Sequence, residues 1–224
     1  MINDSKKTPV IVIPSHGTIR AFAMIVDLNR FAGMVKLAEQ TGDIIAQFTR
    51  DVLSGAIDQI ESEGGEVVGF MGDAVYGVLP SGDRAVKACF GIAKYVDRHC
   101  EYISSAQARC KHLWAFAKGG ASLKIAVEYG VLDVSTIYSR LLGSQPLLVG
   151  NAVNYASRIA AAGKGNRCNI GPIAAKMEFS KYHLDGPFII KGKFGEPPYE
   201  YFNFRMDDIW IEGPRRRGKE TFWG

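Results

Sequence analysis

The chain has 224 residues, 47% of them hydrophobic and 22% charged, a composition that excludes disorder, collagen-like repeats and low-complexity architecture. A net charge of +4 is too small to mark a nucleic-acid footprint, and no apolar run reaches the roughly 18 residues of a membrane span. Cys89, Cys100, Cys110 and Cys168 form no Cys-x-x-Cys pair and read as reduced thiols; with a polar start that lacks a signal-peptide pattern, the expected location is the cytoplasm.

Residues 21–28, Ala-Phe-Ala-Met-Ile-Val-Asp-Leu, form an apolar run ending in an acid, as expected of a buried strand whose carboxyl end opens onto a site. Between residues 41 and 62 the apolar positions Ile44, Ile45, Phe48, Val52, Ala56, Ile57 and Ile60 recur every three or four residues, and Gly64-Gly65 follow. That spacing predicts an amphipathic helix with its stop signal. Residues 66–71 and 74–79 read as two strands joined by Gly72-Asp73, a tight turn with an acid at its tip.

A second helix is predicted over 83–102 through Val86, Phe90, Ala93 and Val96, and the stretch to Gly120 fits either its continuation or a loop. Adjacent helix residues diverge, which disfavours a zinc set of His99, Cys100, Cys110 and His112. Residues 122–129 read as a strand with 131–137 as its hairpin partner across Gly130. A helix over 151–162, a strand around 168–170, a helix from Pro172 and strands at 188–191 and 199–204 complete the chain. The order predicts an α/β (α+β) sandwich on a ferredoxin-like core, a mixed sheet with helices packed on one face. Residues 1–19 read as an N-terminal segment, 20–204 as one domain, and 205–224 as a solvated basic tail.

Asp27 and Asp73 fall where a mixed sheet brings adjacent strands to one edge of a cleft. Two such carboxylates suit a hard divalent cation, which takes oxygen ligands and shares them with substrate phosphates. Taken singly, Asp27 reads as a helix cap and Asp73 as a turn former. Asn154 and Arg158 are four apart on one helix face, where the arginine fork can brace a phosphate whose charge is growing. Lysines in Ile190-Lys191-Gly192-Lys193-Phe194-Gly195 sit where glycines let the backbone bend toward a polyphosphate.

Four motifs together resemble the class III nucleotidyl cyclases. They are Phe22-Ala23-Met24-Ile25-Val26-Asp27-Leu28 with Phe31, then Gly64-Gly65-Glu66-Val67-Val68-Gly69-Phe70-Met71-Gly72-Asp73-Ala74, Val149-Gly150-Asn151-Ala152-Val153-Asn154-Tyr155-Ala156-Ser157-Arg158, and Lys191-Gly192-Lys193. The resemblance implies a head-to-tail homodimer with two divalent cations, Mn2+ or Mg2+, per site. Asp27, Asp73 and the Leu28 carbonyl would hold them, facing Asn154, Arg158 and Lys193 of the other copy. The implied reaction is attack of the ribose 3′-hydroxyl on the α-phosphorus of a nucleoside triphosphate, with loss of pyrophosphate. Asn154 would orient the ribose, Arg158 would stabilise the transition state, and Lys193 would hold the terminal phosphates.

Purine cyclases of this family usually carry a lysine where this chain has Gly69 and a polar base-reading group where it has Leu147. With those positions changed, the chain is most similar to the bacterial pyrimidine cyclases of the Pycsar antiphage system, and the likeness favours UTP over CTP. A separate effector would sense the cyclic product. Phe31, Phe70 and Tyr76 are aromatic candidates for packing a smaller base, and Arg30 stands where the family often has glycine. Two alternatives stay open: an adenylate or guanylate cyclase with a divergent base pocket, or a catalytically silent cyclase-like module that regulates or dimerises.

Overall fold

The computed structural model describes residues 10–104, 109–117, 123–141, 143–163, 165, 167–192 and 195–205; the basic tail and Lys193 lie outside them. Strand β1 (Gly17–Leu28) lies within the sheet, antiparallel to β3 (Ala74–Leu79) on one side and to β4 (Leu123–Ser139) on the other. Its continuous apolar run follows from burial on both faces. Phe22, Met24, Val26 and Leu28 enter one core cluster, while Ala21, Ala23 and Ile25 enter the second. With β2 (Glu66–Met71), β6 (Arg167–Ile170), β7 (Asp185–Ile190) and β8 (Tyr199–Arg205) the order is β2-β3-β1-β4-β6-β8-β7, and β5 (Gly143–Val149) pairs with β4. Only the β4–β6 pairing is parallel among the described strands, so the sheet is mixed, as predicted.

Helices α1 (Phe31–Thr41), α2 (Ile45–Ser62), α3 (Gly82–Ser104) and α4 (Lys111–Ala117) build the larger cluster. Phe48 and Trp114 meet edge to face there at 4.8 Å, and truncating either to alanine would cost about 3–5 kcal/mol. Helix α1 is absent from the sequence prediction. Its N-terminal Arg30 makes no side-chain cap bond, Gly33 interrupts its pattern, and Gly42 at φ 74 ends it just where the longer predicted helix was to begin.

Helix α5 (Asn151–Ala162) packs on the opposite face of the sheet, which corrects the expectation of helices on one face. Its buried stripe of Ala152, Ala156, Ile159 and Ala160 is small, so the helix sits close to Ala21, Ala23 and Ala126. That close approach also explains Gly130. A Cβ there would lie 3.0 Å from the Ala152 methyl carbon, so the glycine accommodates a helix and does not make a turn. Strand β4 runs straight through it, and the true hairpin partner is β5, in register from Asp133↔Val149 to Ser139↔Gly143.

A short helix α6 (Pro172–Lys176) completes the larger cluster. Glu128, only 2% exposed, accepts the N–H groups of Tyr129 at 2.7 Å and Ala174 at 2.8 Å, which stitches β4 to the start of this helix. Burial pushes the Glu128 carboxyl above the ordinary glutamate value, and those N–H groups oppose the shift. All four cysteines are buried thiols. The disfavoured zinc set is not assembled: Cys110 Sγ donates to the Ile44 carbonyl, the His112 ring pairs with Asp43, and no metal-binding cluster of three or more His, Cys, Asp or Glu occurs among the described residues. No helix among them is long and apolar enough to cross a membrane.

Candidate active site

Alternation along β1 places Asp27 on the α5 side of the sheet, one step beyond Ile25. Its register partner on β3 is Ala74, the residue after Asp73, and the Leu28 N–H donates to the Asp73 carbonyl at 3.2 Å. The turn works because Gly72 takes φ 65 at the first central position, a conformation that a glycine adopts without steric cost. The two acids are therefore neighbours, as the sequence predicted. Burial first, and the Asp73 charge second, push the Asp27 carboxyl up to about 6, while Lys124 directly across the β1–β4 ladder lowers it. A pair of crowded carboxylates beside the Leu28 backbone is an oxygen donor set that suits Mg2+ or Mn2+. A bound dication would offset the repulsion that raises Asp27.

Arg30 lies three residues past Asp27 and is the one non-glycine residue at positive φ among those described, at φ 61 and ψ 32. Glycine suits that geometry, and an arginine there is strained. Phe31 opens α1 and packs against the larger core cluster, on the face opposite Asp27. Phe70 is 62% exposed near the hairpin tip.

Gly69 and Leu147 lie on strands β2 and β5, which touch each other. A bulge at Val68 shifts the β2 register so that Gly69 pairs with Tyr76, and a Cβ on Gly69 would meet open space. The β4–β5 arm folds back so that β5, which carries Leu147, touches β2. Tyr76 is buried in the second cluster; its hydroxyl has no hydrogen-bond partner among the described residues, and burial raises its pKa strongly.

Asn154 and Arg158 do share a face of α5, but their partners lie toward the far edge of the sheet. Arg158 Nη2 donates to Glu196 Oε1 at 2.7 Å, and Asn154 Nδ2 donates to the Tyr199 hydroxyl at 3.4 Å. Tyr199 begins β8, and β4 and β6 separate β8 from β1, about 14 Å at the usual strand spacing. The side-chain partners of the α5 pair therefore lie on the β8 side of the helix, while the helix itself packs on β1 and β4. Glu196 and Tyr199 were missed from the sequence. Their only local signal is the Glu-Pro-Pro-Tyr run just after the lysine segment, and their contacts span 38 and 45 residues of chain.

Neither a protein-family model nor a curated protein sequence matches the chain. Solved structures do. A bacterial light-regulated adenylyl cyclase superposes with TM-score 0.65 at 17% identity, covering 84% of this chain and 52% of its own, so this chain spans about half the length of that protein. The guanylyl cyclase Cya2 gives TM-score 0.61 at 17% identity over 85% of this chain and 93% of its own. The adenylyl cyclase CyaB from P. aeruginosa gives 0.61 at 18% identity over 84% and 95%. The chain has the fold of the class III adenylyl and guanylyl cyclase catalytic domains.

Proposed function

We propose that this chain is a metal-dependent nucleotidyl cyclase that converts a pyrimidine nucleoside triphosphate, UTP in preference to CTP, into the 3′,5′-cyclic monophosphate and pyrophosphate. The observation that carries this reading is the split site. Two adjacent acids, Asp27 and Asp73, meet where β1 ends beside the β2–β3 turn, while the side chains of Asn154 and Arg158 on α5 are tied to Tyr199 at the start of β8 and to Glu196 just before it. Each half-site lacks what the other offers. Head-to-tail pairing of two copies would join the acids of one to the α5 pair of the other, and it would do so twice, with C2 symmetry.

In the joined site Asp27, Asp73 and the Leu28 carbonyl would hold Mn2+ or Mg2+. Bound there, the cations would lower the pKa of the ribose 3′-hydroxyl and neutralise the triphosphate. The 3′-oxygen attacks the α-phosphorus, the bond to the β,γ-pyrophosphate breaks, and the hydroxyl proton passes to solvent. Positioning and charge stabilisation supply most of the acceleration in such a displacement. Asn154 orients the ribose, Arg158 stabilises the growing charge on the phosphorus oxygens, and Lys193 with Arg30 holds the terminal phosphates.

The pyrimidine assignment follows from Gly69 and Leu147. Neither offers a side-chain hydrogen bond to a purine edge, and a site that reads an edge by hydrogen bonds depends on such groups. The product would act as a second messenger in antiphage defence, sensed by a separate effector in the cytoplasm. The direct test incubates the protein with ATP, GTP, CTP and UTP separately, with Mn2+, and resolves the products by chromatography. Cyclic UMP in excess over the other products upholds the reading. Purine products alone overturn the pyrimidine assignment, and no cyclic product from any of the four overturns the cyclase assignment.

A further inference from the structure

The side chains proposed to act on the phosphate are already held before any substrate arrives. Arg158 is held by Glu196 and Asn154 by the Tyr199 hydroxyl, two partners only three residues apart at the approach to β8. Arg158 Nε is buried and has no hydrogen-bond partner among the described residues, which leaves the terminal nitrogens to fix the guanidinium's direction.

Tyr199 is itself well anchored. It is 7% exposed and meets Tyr155 edge to face at 4.9 Å and 69°. The Tyr155 hydroxyl accepts the Glu200 N–H and donates to the Glu200 carbonyl, both at 2.8 Å, so α5 is clasped to the start of β8. Glu196 stands in a turn that folds back tightly: a Cβ on Gly192 would lie 2.2 Å from the Glu196 carbonyl oxygen. Gly192, which follows Lys191, thus lies against the backbone of the arginine's partner.

We infer that Glu196 and Tyr199 are positioning residues, which hold the Arg158 guanidinium and the Asn154 carboxamide in one fixed orientation toward the phosphorus undergoing transfer. The inference rests on the cyclase reading for its catalytic consequence. Its physical basis is preorganisation: an arginine on a flexible stem stabilises developing charge best when its fork is aimed in advance, and small misplacements of such groups are costly in rate. Neither Glu196 nor Tyr199 needs to touch the substrate.

The test uses the full chain with Tyr199→Phe, Glu196→Gln and Glu196→Ala. Tyr199→Phe keeps the ring and its packing on Tyr155 and removes only the hydroxyl. We expect kcat to fall roughly 10- to 100-fold in Tyr199→Phe with KM changed less than about twofold and the melting temperature unchanged. Glu196→Gln retains an acceptor oxygen and should lose less kcat than Glu196→Ala. Wild-type kcat in Tyr199→Phe and Glu196→Ala, or losses confined to KM or to thermal stability, would overturn the inference. A second readout does not need turnover: NMR of the Arg158 guanidinium should show hindered rotation in the wild type and release in Glu196→Ala. If the wild type cyclises none of the four triphosphates, the cyclase reading fails, and this NMR comparison still decides whether Arg158 is held. Equal mobility in wild type and variant contradicts the hold.

Discussion

Replacing Arg30 with glycine removes a backbone conflict and a cation in one step. At φ 61 and ψ 32 an L-residue brings its Cβ against the backbone, at a cost of about 1–2 kcal/mol. Glycine escapes that cost but gives back part of it, on the order of 0.5–1 kcal/mol, through the greater freedom of its unfolded chain. The net expectation is a gain of about 0.5–1 kcal/mol, which in a chain of this size raises the melting temperature by about 1–4 °C. Arg30→Ala is the control, since it keeps the strained geometry and removes only the charge. If Arg30 is retained for the triphosphate, both variants should raise KM several-fold, while Arg30→Gly alone should melt higher. Differential scanning calorimetry and initial-rate kinetics read the two effects separately. A glycine variant that melts no higher than the alanine variant refutes the strain argument, and an unchanged KM in both refutes the functional one.

Asp73→Ala should abolish turnover while costing less than about 1 kcal/mol in a urea melt, because a half-exposed turn acid contributes little to stability; activity near the wild-type level would remove the paired-acid site. Arg158→Ala should lower kcat much more than it raises KM in steady-state kinetics, since its contact strengthens as charge develops, and a pure KM effect would assign it to ground-state binding. Glu128 predicts a pH dependence. Its folded pKa is raised by burial, so its contribution to stability is full below the ordinary glutamate value near 4.5 and is lost as pH rises through the higher folded value. Urea midpoints measured across that range should fall more steeply for wild type than for Glu128→Gln, and parallel profiles would contradict the assignment.

The parts of the fold that the sequence revealed are those governed by local periodicity. Strand β1, the β2–β3 hairpin and helix α5 each carry an unbroken pattern of period 2 or 3.6, or a continuous run between clear turn residues. Gly130 misled because a glycine that admits a neighbouring helix looks, in one dimension, like a glycine that turns the chain. Strand β5 escaped because Gly143, Ser144 and Pro146 give it no apolar alternation, and only its pairing with the far half of β4 makes it a strand. The side of the sheet on which α5 packs was equally hidden, since its small alanines matter only against the alanines of β1 and β4.

At the site, the two acids were legible because one ends a strand and the other sits in a two-residue turn, positions whose meaning is local. Asn154 and Arg158 were legible by helical spacing. The Glu196 and Tyr199 contacts were not, because they join α5 to residues 38 and 45 positions further along the chain. Nor does Arg30 advertise its backbone conflict in the sequence; it emerges only from the dihedral that the chain imposes between β1 and α1.

The claim that two half-sites of different copies make one active centre is tested most directly by complementation. Asp73→Ala and Arg158→Ala chains, each inactive alone, are mixed in equal amounts after dissociation and reassociated. In each mixed pair one site unites an intact acid pair with an intact arginine, so random pairing should restore about one quarter of the wild-type cyclase activity. A mixture as inactive as its two components would contradict the account.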